Sequence, residues 1–248
     1  MLAIVGGSGF TQISSLSAVR REMVRTPYGE PSGALTFGTI DGHAVMFLAR
    51  HGYGHTIPPH QINYRANIWA LHAQGAKNVV AIAAVGGIRD DLGPGALVIP
   101  DQIIDYTHGR ASTFFTLADR GLQHIDFTFP YSSALRAMCL QAAQQAGETV
   151  VDGGVYAATQ GPRLETAAEI NRLERDGADV VGMTGMPEAA LAREIGLSYA
   201  TIALEINHAA GRGASRAGIA MGDMAATLQQ AMSRVQRIIE QVVTMHGD

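Results

Sequence analysis

Cysteine, basic charge and long apolar runs are all scarce in this sequence, and each scarcity excludes a class of structure or partner. Cys139 is the sole cysteine among 248 residues, so no disulfide can form within the chain. That usage is typical of a reducing compartment, and we expect a cytoplasmic protein. No apolar run reaches the roughly 18–20 residues that span a bilayer. Residues 1–10 also lack the basic segment of a signal peptide, so we expect no membrane partner.

An excess of positive charge is missing as well. The formal net charge is −4, so no general basic field exists to attract a nucleic acid polymer, and any anion site must be local. What the chain does have is 47% hydrophobic residues and 29 glycines. This balance is typical of a packed α/β fold with many tight turns.

Strand and helix patterns alternate along the whole chain, which predicts a single α/β domain over residues 1–248. Short apolar strands are expected at residues 2–5, 44–49, 79–85, 96–99, 103–106, 155–159, 180–183 and 198–206. Helices are expected at residues 62–74, 135–145, 166–176 and 187–195, and a last helix is expected to be capped by Asp223. Residues 110–130 read as a long irregular loop, and whether it acts as a lid stays open.

A glycine-rich turn follows the first strand. The backbone N–H groups of Gly6-Gly7-Ser8-Gly9 could cradle an anion, although a plain tight turn is an equal alternative. The turn lacks the G-x-G-x-x-G fingerprint and the Gly-Lys-Ser/Thr of a P-loop. A nicotinamide-dependent dehydrogenase is therefore a poor hypothesis.

Arg50 and His51 follow the next strand. The planar fork of an arginine matches the oxygens of a phosphate, and a strand end is where such a site is expected. The alternatives are a surface arginine beside a solvated histidine, or a metal bound by His51, His55 and His60. Two intervening glycines disfavour the helix that would bring these histidines onto one face.

Three further junctions carry polar residues. Glu165 precedes a helix start and could accept a hydrogen bond from a heterocycle N–H, or simply favour the positive helix end. Thr184 offers a hydroxyl to a phosphate, with Met183 beside it to pack on a sugar or in the core. Asn207 ends a buried strand and offers a donor and an acceptor on one fork, unless it only closes a turn.

Taken in order, these motifs resemble those of the trimeric purine nucleoside phosphorylase and methylthioadenosine phosphorylase family. The resemblance runs from residues 4–9 to the last helix, and residues 49–57 and 63–71 look most like the methylthioadenosine branch. It implies the nucleoside phosphorylase fold, with a mixed, partly barrel-like central sheet flanked by helices, in a homotrimer. It also implies reversible phosphorolysis, in which inorganic phosphate attacks C1′ of a nucleoside and the purine leaves, without a metal or organic cofactor.

The resemblance also implies roles for individual residues. Met183 would lie against the ribose, and His124 would reach the site of a neighbouring subunit. Asn207 and His51 would be catalytic. Position 83 is Ala where the methylthioadenosine branch tends to carry Thr, so one hydroxyl contact is missing. The phosphate would contact Ser8, Arg50, His51, the backbone near Ala83 and Ala84, and Thr184.

The base pocket departs from the methylthioadenosine pattern. That branch reads adenine with two Asp, two residues apart, where this chain has Asn207 and Ala209 on either side of His208. The resemblance implies that all three contact the substrate. Glu165 with Asn207 resembles the pair with which purine nucleoside phosphorylases read 6-oxopurines. A carboxylate accepts from N1–H of hypoxanthine and an amide N–H donates to O6, whereas adenine has the reverse polarity at both atoms.

The pocket for the 5′ end of the nucleoside also departs from the purine nucleoside phosphorylase pattern. Those enzymes place a His near the 5′-hydroxyl, where this chain has the apolar candidates Ile219 and Met221. An apolar pocket favours a methylthio group over a hydroxyl. Together the two departures predict 5′-methylthioinosine as the substrate. The alternatives are inosine or guanosine, methylthioadenosine, or a purine-binding module without catalysis.

Overall fold

The computed structural model describes residues 1–115, 121 and 123–247. Within them one mixed sheet is formed by β1 (Leu2–Gly6), β2 (Ser17–Glu22), β3 (Leu35–Ile40), β4 (His43–Ala49), β5 (Asn78–Gly87), β6 (Leu97–Ile99), β7 (Gln102–Asp105), β8 (Val151–Asp152), β9 (Val155–Ala158), β10 (Val180–Gly182) and β11 (Ser198–His208). The helices are α1 (Tyr64–Ala73), α2 (Ser133–Gln145), α3 (Ala167–Arg175), α4 (Glu188–Glu194) and α5 (Met221–Gly247). The predicted mixed sheet flanked by helices is confirmed.

The central strands are apolar on both faces because both faces are buried. Leu2 and Ile4 of β1 face one core and Ala3 and Val5 face the other. Helices α2 and α5 pack together against β11 on the first side, and α1 packs on α4 on the second. Buried parallel strands read as continuous hydrophobic runs for this reason, and the sequence expectation rested on those runs.

The sheet branches at β5, and this branch creates an opening. One edge of β5 pairs with the parallel strand β1 over its first half and with the antiparallel strand β10 at Gly86 and Gly87. Since β1 and β10 approach from opposite ends, their carboxyl ends meet beside the middle of β5. The other edge of β5 is covered by β11 along its length. Ligands in open α/β sheets bind at such strand ends.

Two expectations about individual elements were wrong or incomplete. β2, β3 and β8 were not predicted. β2 is an edge strand with five of its six residues exposed and lacks apolar alternation, and β8 has only two residues. Helix α5 begins at Met221, so Asp223 lies in its first turn and is not its cap. A carboxylate there still favours the positive helix end.

The structure also describes the surroundings of Cys139 and part of the long loop. Cys139 is fully buried in α2, and burial raises the pKa of its thiol, which fits an unreactive side chain. The loop at residues 110–130 includes residues 116–120 and 122, which lie outside the described part of the chain. No helix in the described residues is both long and apolar enough to cross a bilayer.

Candidate functional site

One cavity opens where β1, β4, β5, β10 and β11 end or branch. It brings together residues that lie far apart in the sequence, and most of them are those singled out from it. Predicted residues in its wall are Ser8, Arg50, His51, Ala83, Ala84, Glu165, Met183, Thr184, Asn207, Ala209 and Ile219. Further wall residues are Gly7, Pro59, Val85, Gly86, Leu164, Val181, Gly182, Ile206 and Met224.

Arg50 sits at the base of this cavity in a fully buried ion pair. Its Nε lies 2.7 Å from Glu188 Oε2 and its Nη2 lies 2.8 Å from Glu188 Oε1. Tyr199 donates its hydroxyl hydrogen to the same carboxylate at 2.8 Å. Burial alone would lower the pKa of Arg50, but the charge and hydrogen bonds of Glu188 hold it above the ordinary value. The guanidinium is therefore a fixed positive charge, locked in orientation.

The locked guanidinium still has donors to offer. Nη1 donates to the carbonyl oxygen of Ile82 at 2.9 Å, so the hydrogen bonds within the described chain use three of the five N–H groups of an arginine. One N–H on each terminal nitrogen remains. Gly7 allows β1 to end this close, because a Cβ there would lie 2.5 Å from the Ile82 oxygen and 3.0 Å from Arg50 Nη1.

His51, also in the cavity wall, is held as a neutral ring. Burial and then the Arg50 charge lower the pKa of His51 to about 4. Its Nδ1 lies 2.9 Å from the carbonyl oxygen of Ile57, and a carbonyl only accepts, so Nδ1 carries the hydrogen and donates it. Nε2 is then left with a lone pair. The ring centroid lies 4.6 Å from that of His55.

Glu165 and Asn207 also lie in the wall of this cavity. Thr159 donates its hydroxyl hydrogen to Glu165 Oε1 at 2.7 Å, and the Thr166–Glu169 capping box starts α3 immediately afterwards. These bonds tie Glu165 to a rigid helix start. Asn207 donates from Nδ2 to the carbonyl oxygen of His208 at 2.6 Å. A carboxylate and an amide therefore share one cavity with the Arg50 guanidinium.

A bulge in β11 aims Asn207 into the cavity. Opposite β5, Glu205 pairs with Val85 and Asn207 with the next residue, Gly86, so Ile206 is an extra residue. Strict alternation would put Ile206 and Asn207 on opposite faces of the strand, yet both line the cavity. No local pattern in the sequence predicts this bulge.

Three predicted substrate residues lie outside the wall of this cavity. His208 is turned away by the bulge, and its Nδ1 lies 3.5 Å from Glu205 Oε1. Met221 is 65% exposed because α5 begins there and its first turn faces outward, whereas Met224, one turn later, lines the cavity. The expectations for His208 and Met221 are therefore corrected. His124 is exposed and does not line the cavity of its own chain.

Two residues that organise the site were missed in the sequence. Glu188 is 138 positions from Arg50, so no spacing links them. Arg110 begins the long loop and donates to the carbonyl oxygens of Thr159, Gln160, Met183 and Met186. It thereby ties together the two junctions that carry Glu165 and Thr184. Among the described residues, no three His, Cys, Asp or Glu side chains converge as a metal site, His51, His55 and His60 included.

Comparisons with known proteins identify the family of this chain. Residues 1–244 match the Phosphorylase superfamily. A protein of Pseudomonas syringae pv. tomato named "Probable S-methyl-5'-thioinosine phosphorylase" is 51% identical, over 98% of both chains. The "6-oxopurine nucleoside phosphorylase" of Pyrococcus furiosus is 47% identical, over 85% of this chain and 80% of its own. Methylthioadenosine phosphorylase from Schistosoma mansoni, solved with adenine, superposes with a TM-score of 0.94 at 32% identity, over 99% of this chain and 91% of its own. This chain therefore belongs to the phosphorylase superfamily.

Proposed function

We propose that this protein cleaves S-methyl-5′-thioinosine with inorganic phosphate, giving hypoxanthine and 5-methylthioribose 1-phosphate. It is a phosphorylase of the pentosyltransferase type. The observation that carries the substrate is the pairing of Glu165 with Asn207 in one cavity that also holds Arg50. The relatives named for methylthioinosine and for 6-oxopurine nucleosides support the same substrate class.

Phosphate is proposed to bind between Ser8, Arg50, His51 and Thr184, beside the backbone of Ala83 and Ala84. Arg50 supplies the fixed charge and its two remaining N–H donors. The neutral His51 supplies Nε2, which accepts from the O–H of a monohydrogen phosphate. No metal or organic cofactor takes part in this proposal. Holding the anion against the positive charge that develops at C1′ is an electrostatic and positioning role.

The purine is proposed to sit between Glu165 and Asn207, with the ribose against Met183. Glu165 accepts from N1–H. Asn207 donates its free N–H to O6, and its Oδ1 accepts from N7 when that atom carries a proton, which stabilises the leaving base. The hydrogen bond of Asn207 to the His208 carbonyl leaves its second N–H for the base. A mismatched buried polar group costs about 1–3 kcal/mol, so adenine, mismatched at two atoms, is discriminated on the order of 10²–10⁴-fold.

The test is a comparison of kcat/KM for methylthioinosine, methylthioadenosine and inosine, each with saturating phosphate. Methylthioinosine is expected to be cleaved fastest, with release of free base only when phosphate is present. Cleavage of methylthioadenosine at an equal or higher kcat/KM would refute the assignment of the base pocket. Purine binding without phosphate-dependent cleavage would favour a binding module.

The part of the pocket proposed to hold the 5′ substituent is expected to decide between methylthioinosine and inosine. Ile219 and Met224 are the apolar residues of the 210–224 region that line the cavity. The variant Ile219→His is expected to raise kcat/KM for inosine relative to methylthioinosine by about tenfold, because a hydrogen bond to the 5′-hydroxyl contributes roughly 0.5–1.5 kcal/mol and the sulfur loses an apolar contact.

The matched control is Met221→His, which replaces an exposed side chain two residues away from Ile219. It is expected to leave the ratio of the two kcat/KM values unchanged. A ratio unchanged in Ile219→His as well would show that the 5′ group binds elsewhere.

The homotrimer and the cytoplasmic location stay proposals. His124 is exposed, and Phe129, a large apolar side chain on the same segment, is 70% exposed, so both are available for contact with a partner. We expect the partner to be another copy of the chain, with His124 reaching its neighbour's cavity. Sedimentation equilibrium measures the assembly, and a monomer would refute it.

A further inference from the structure

Glu205 is the least expected side chain in the fold. It lies on β11, is fully buried, and neither carboxylate oxygen has a hydrogen-bond partner among the described residues. A buried polar group without a partner costs free energy, so chains retain one only where something offsets the cost. Glu205 takes no part in the contacts proposed for phosphate, purine or ribose.

The surroundings of Glu205 are built to hold a carboxyl group. A Cβ on Gly87 would lie 2.3 Å from the carboxylate, so a side chain there would displace it. The backbone of Glu205 is fixed by bonds to Ala96 and Gly95. His208 Nδ1 lies 3.5 Å from Oε1 of this carboxylate.

The charged side chains on the neighbouring elements are engaged elsewhere. Asp91, in the turn after β5, pairs with Arg89. Arg212, in the connection after β11, pairs with Glu174. Arg234 of α5 pairs with Glu148 and donates to the Gly95 carbonyl. Burial, and then the charge of Asp91, raise the pKa of Glu205 to about 7. The carboxyl group therefore changes charge in the physiological range.

The bulge links this buried acid to the cavity. Glu205 and His208 flank the two residues, Ile206 and Asn207, that turn into the cavity wall. The carbonyl of His208 accepts the bond that orients the Asn207 amide. The His208 ring also packs on Gly213, where a Cβ would lie 2.6 Å from ring Cδ2, in the connection that leads to Ile219. A shift of His208 therefore moves Asn207, at the proposed purine end of the pocket, and the connection to Ile219, at the proposed 5′ end.

We propose that Glu205 and His208 form a proton-linked positioning pair that sets the aim of Asn207, and hence the affinity for the purine. With Glu205 neutral, His208 stays in the position described. Loss of the Glu205 proton leaves a buried charge without a donor, which draws the Nδ1–H of His208 across the 3.5 Å separation. The His208 carbonyl then moves, and the Asn207 amide moves with it. This inference rests on the proposed function, since it assigns Asn207 to the base.

The experiment measures the Kd of hypoxanthine by calorimetry at about pH 6 and about pH 8, on either side of the Glu205 titration. Wild type is expected to bind about fivefold more weakly at the higher pH, at the lower end of usual coupling between sites. Glu205→Gln, neutral and of the same size, is expected to keep the tighter Kd at both. His208→Gln is expected to lose the pH dependence too, because the responding ring is gone.

The matched control is Asp90→Asn, which removes an exposed carboxylate from the adjacent turn and should keep the wild-type profile. A second readout does not need a ligand. Because the folded state holds the Glu205 proton to a higher pH than the unfolded state, the wild-type melting temperature should fall as pH rises towards about 7, more steeply than in Glu205→Gln.

Equal pH dependence of Kd in wild type and Glu205→Gln would overturn the positioning pair while leaving the proposed function standing. Absence of hypoxanthine binding at both pH values, together with absence of phosphorolysis, would instead refute the proposed function and the pair with it.

Discussion

Replacement of Glu188 by glutamine is expected to lower the free energy of unfolding by about 3–5 kcal/mol. The reason is the Arg50 guanidinium, which is buried and held by two bonds to this carboxylate. Glutamine has nearly the same volume, so no cavity forms. Its amide N–H group faces an N–H group of Arg50, and the positive charge of Arg50 is left without a negative partner. The Tyr199 hydroxyl also loses the charged oxygen to which it donates its hydrogen bond. Urea unfolding measures the change.

The matched control is Asp91→Asn, which breaks an equally bidentate but exposed pair with Arg89. Solvent screens that pair, so its loss is expected to destabilise the fold far less than loss of the buried pair. Phosphate should stabilise Glu188→Gln more than wild type, because a bound anion replaces the missing negative charge. If Glu188→Gln unfolds at the same urea concentration as Asp91→Asn, the ion pair does not have the role given to it.

The variant Asn207→Asp is expected to lower kcat/KM for methylthioinosine by about 10²–10³-fold. A carboxylate cannot donate to O6, and the two oxygens repel. The same carboxylate can accept from the 6-amino group of adenine, so kcat/KM for methylthioadenosine should fall far less or rise. The ratio of the two kcat/KM values is therefore the quantity to measure, since it cancels any general loss of active enzyme.

Asn171→Asp makes the same chemical change on the exposed face of α3 and should leave that ratio as in wild type. Glu165→Gln is expected to have a smaller effect than Asn207→Asp, because the glutamine oxygen can still accept from N1–H. An unaltered ratio in Asn207→Asp would mean that the amide does not face the six-position of the purine.

Much of the fold could be predicted because the buried strands carry their own pattern. β1, β4, β5 and β11 are apolar on both faces, and turn residues bound them, so their positions were clear from local sequence. β2 could not be found in this way, since an exposed edge strand is free to carry polar residues such as Arg20 and Arg21. The start of α5 was misplaced for a related reason. Asp223 is a good capping residue, but Met221 already lies in the helix.

By itself the sequence determined which polar residues end which strands, and it supplied the polarity of Glu165 and Asn207 from which a 6-oxopurine is predicted. Only the tertiary structure decided which of these residues meet. The branch at β5 brings five strands to one cavity, the bulge turns Asn207 inward and His208 outward, and Glu188 locks Arg50 across 138 positions. Such contacts depend on how strands pair and how the chain returns on itself. Local spacing carries information about neighbours along the chain, and these residues are neighbours only in space.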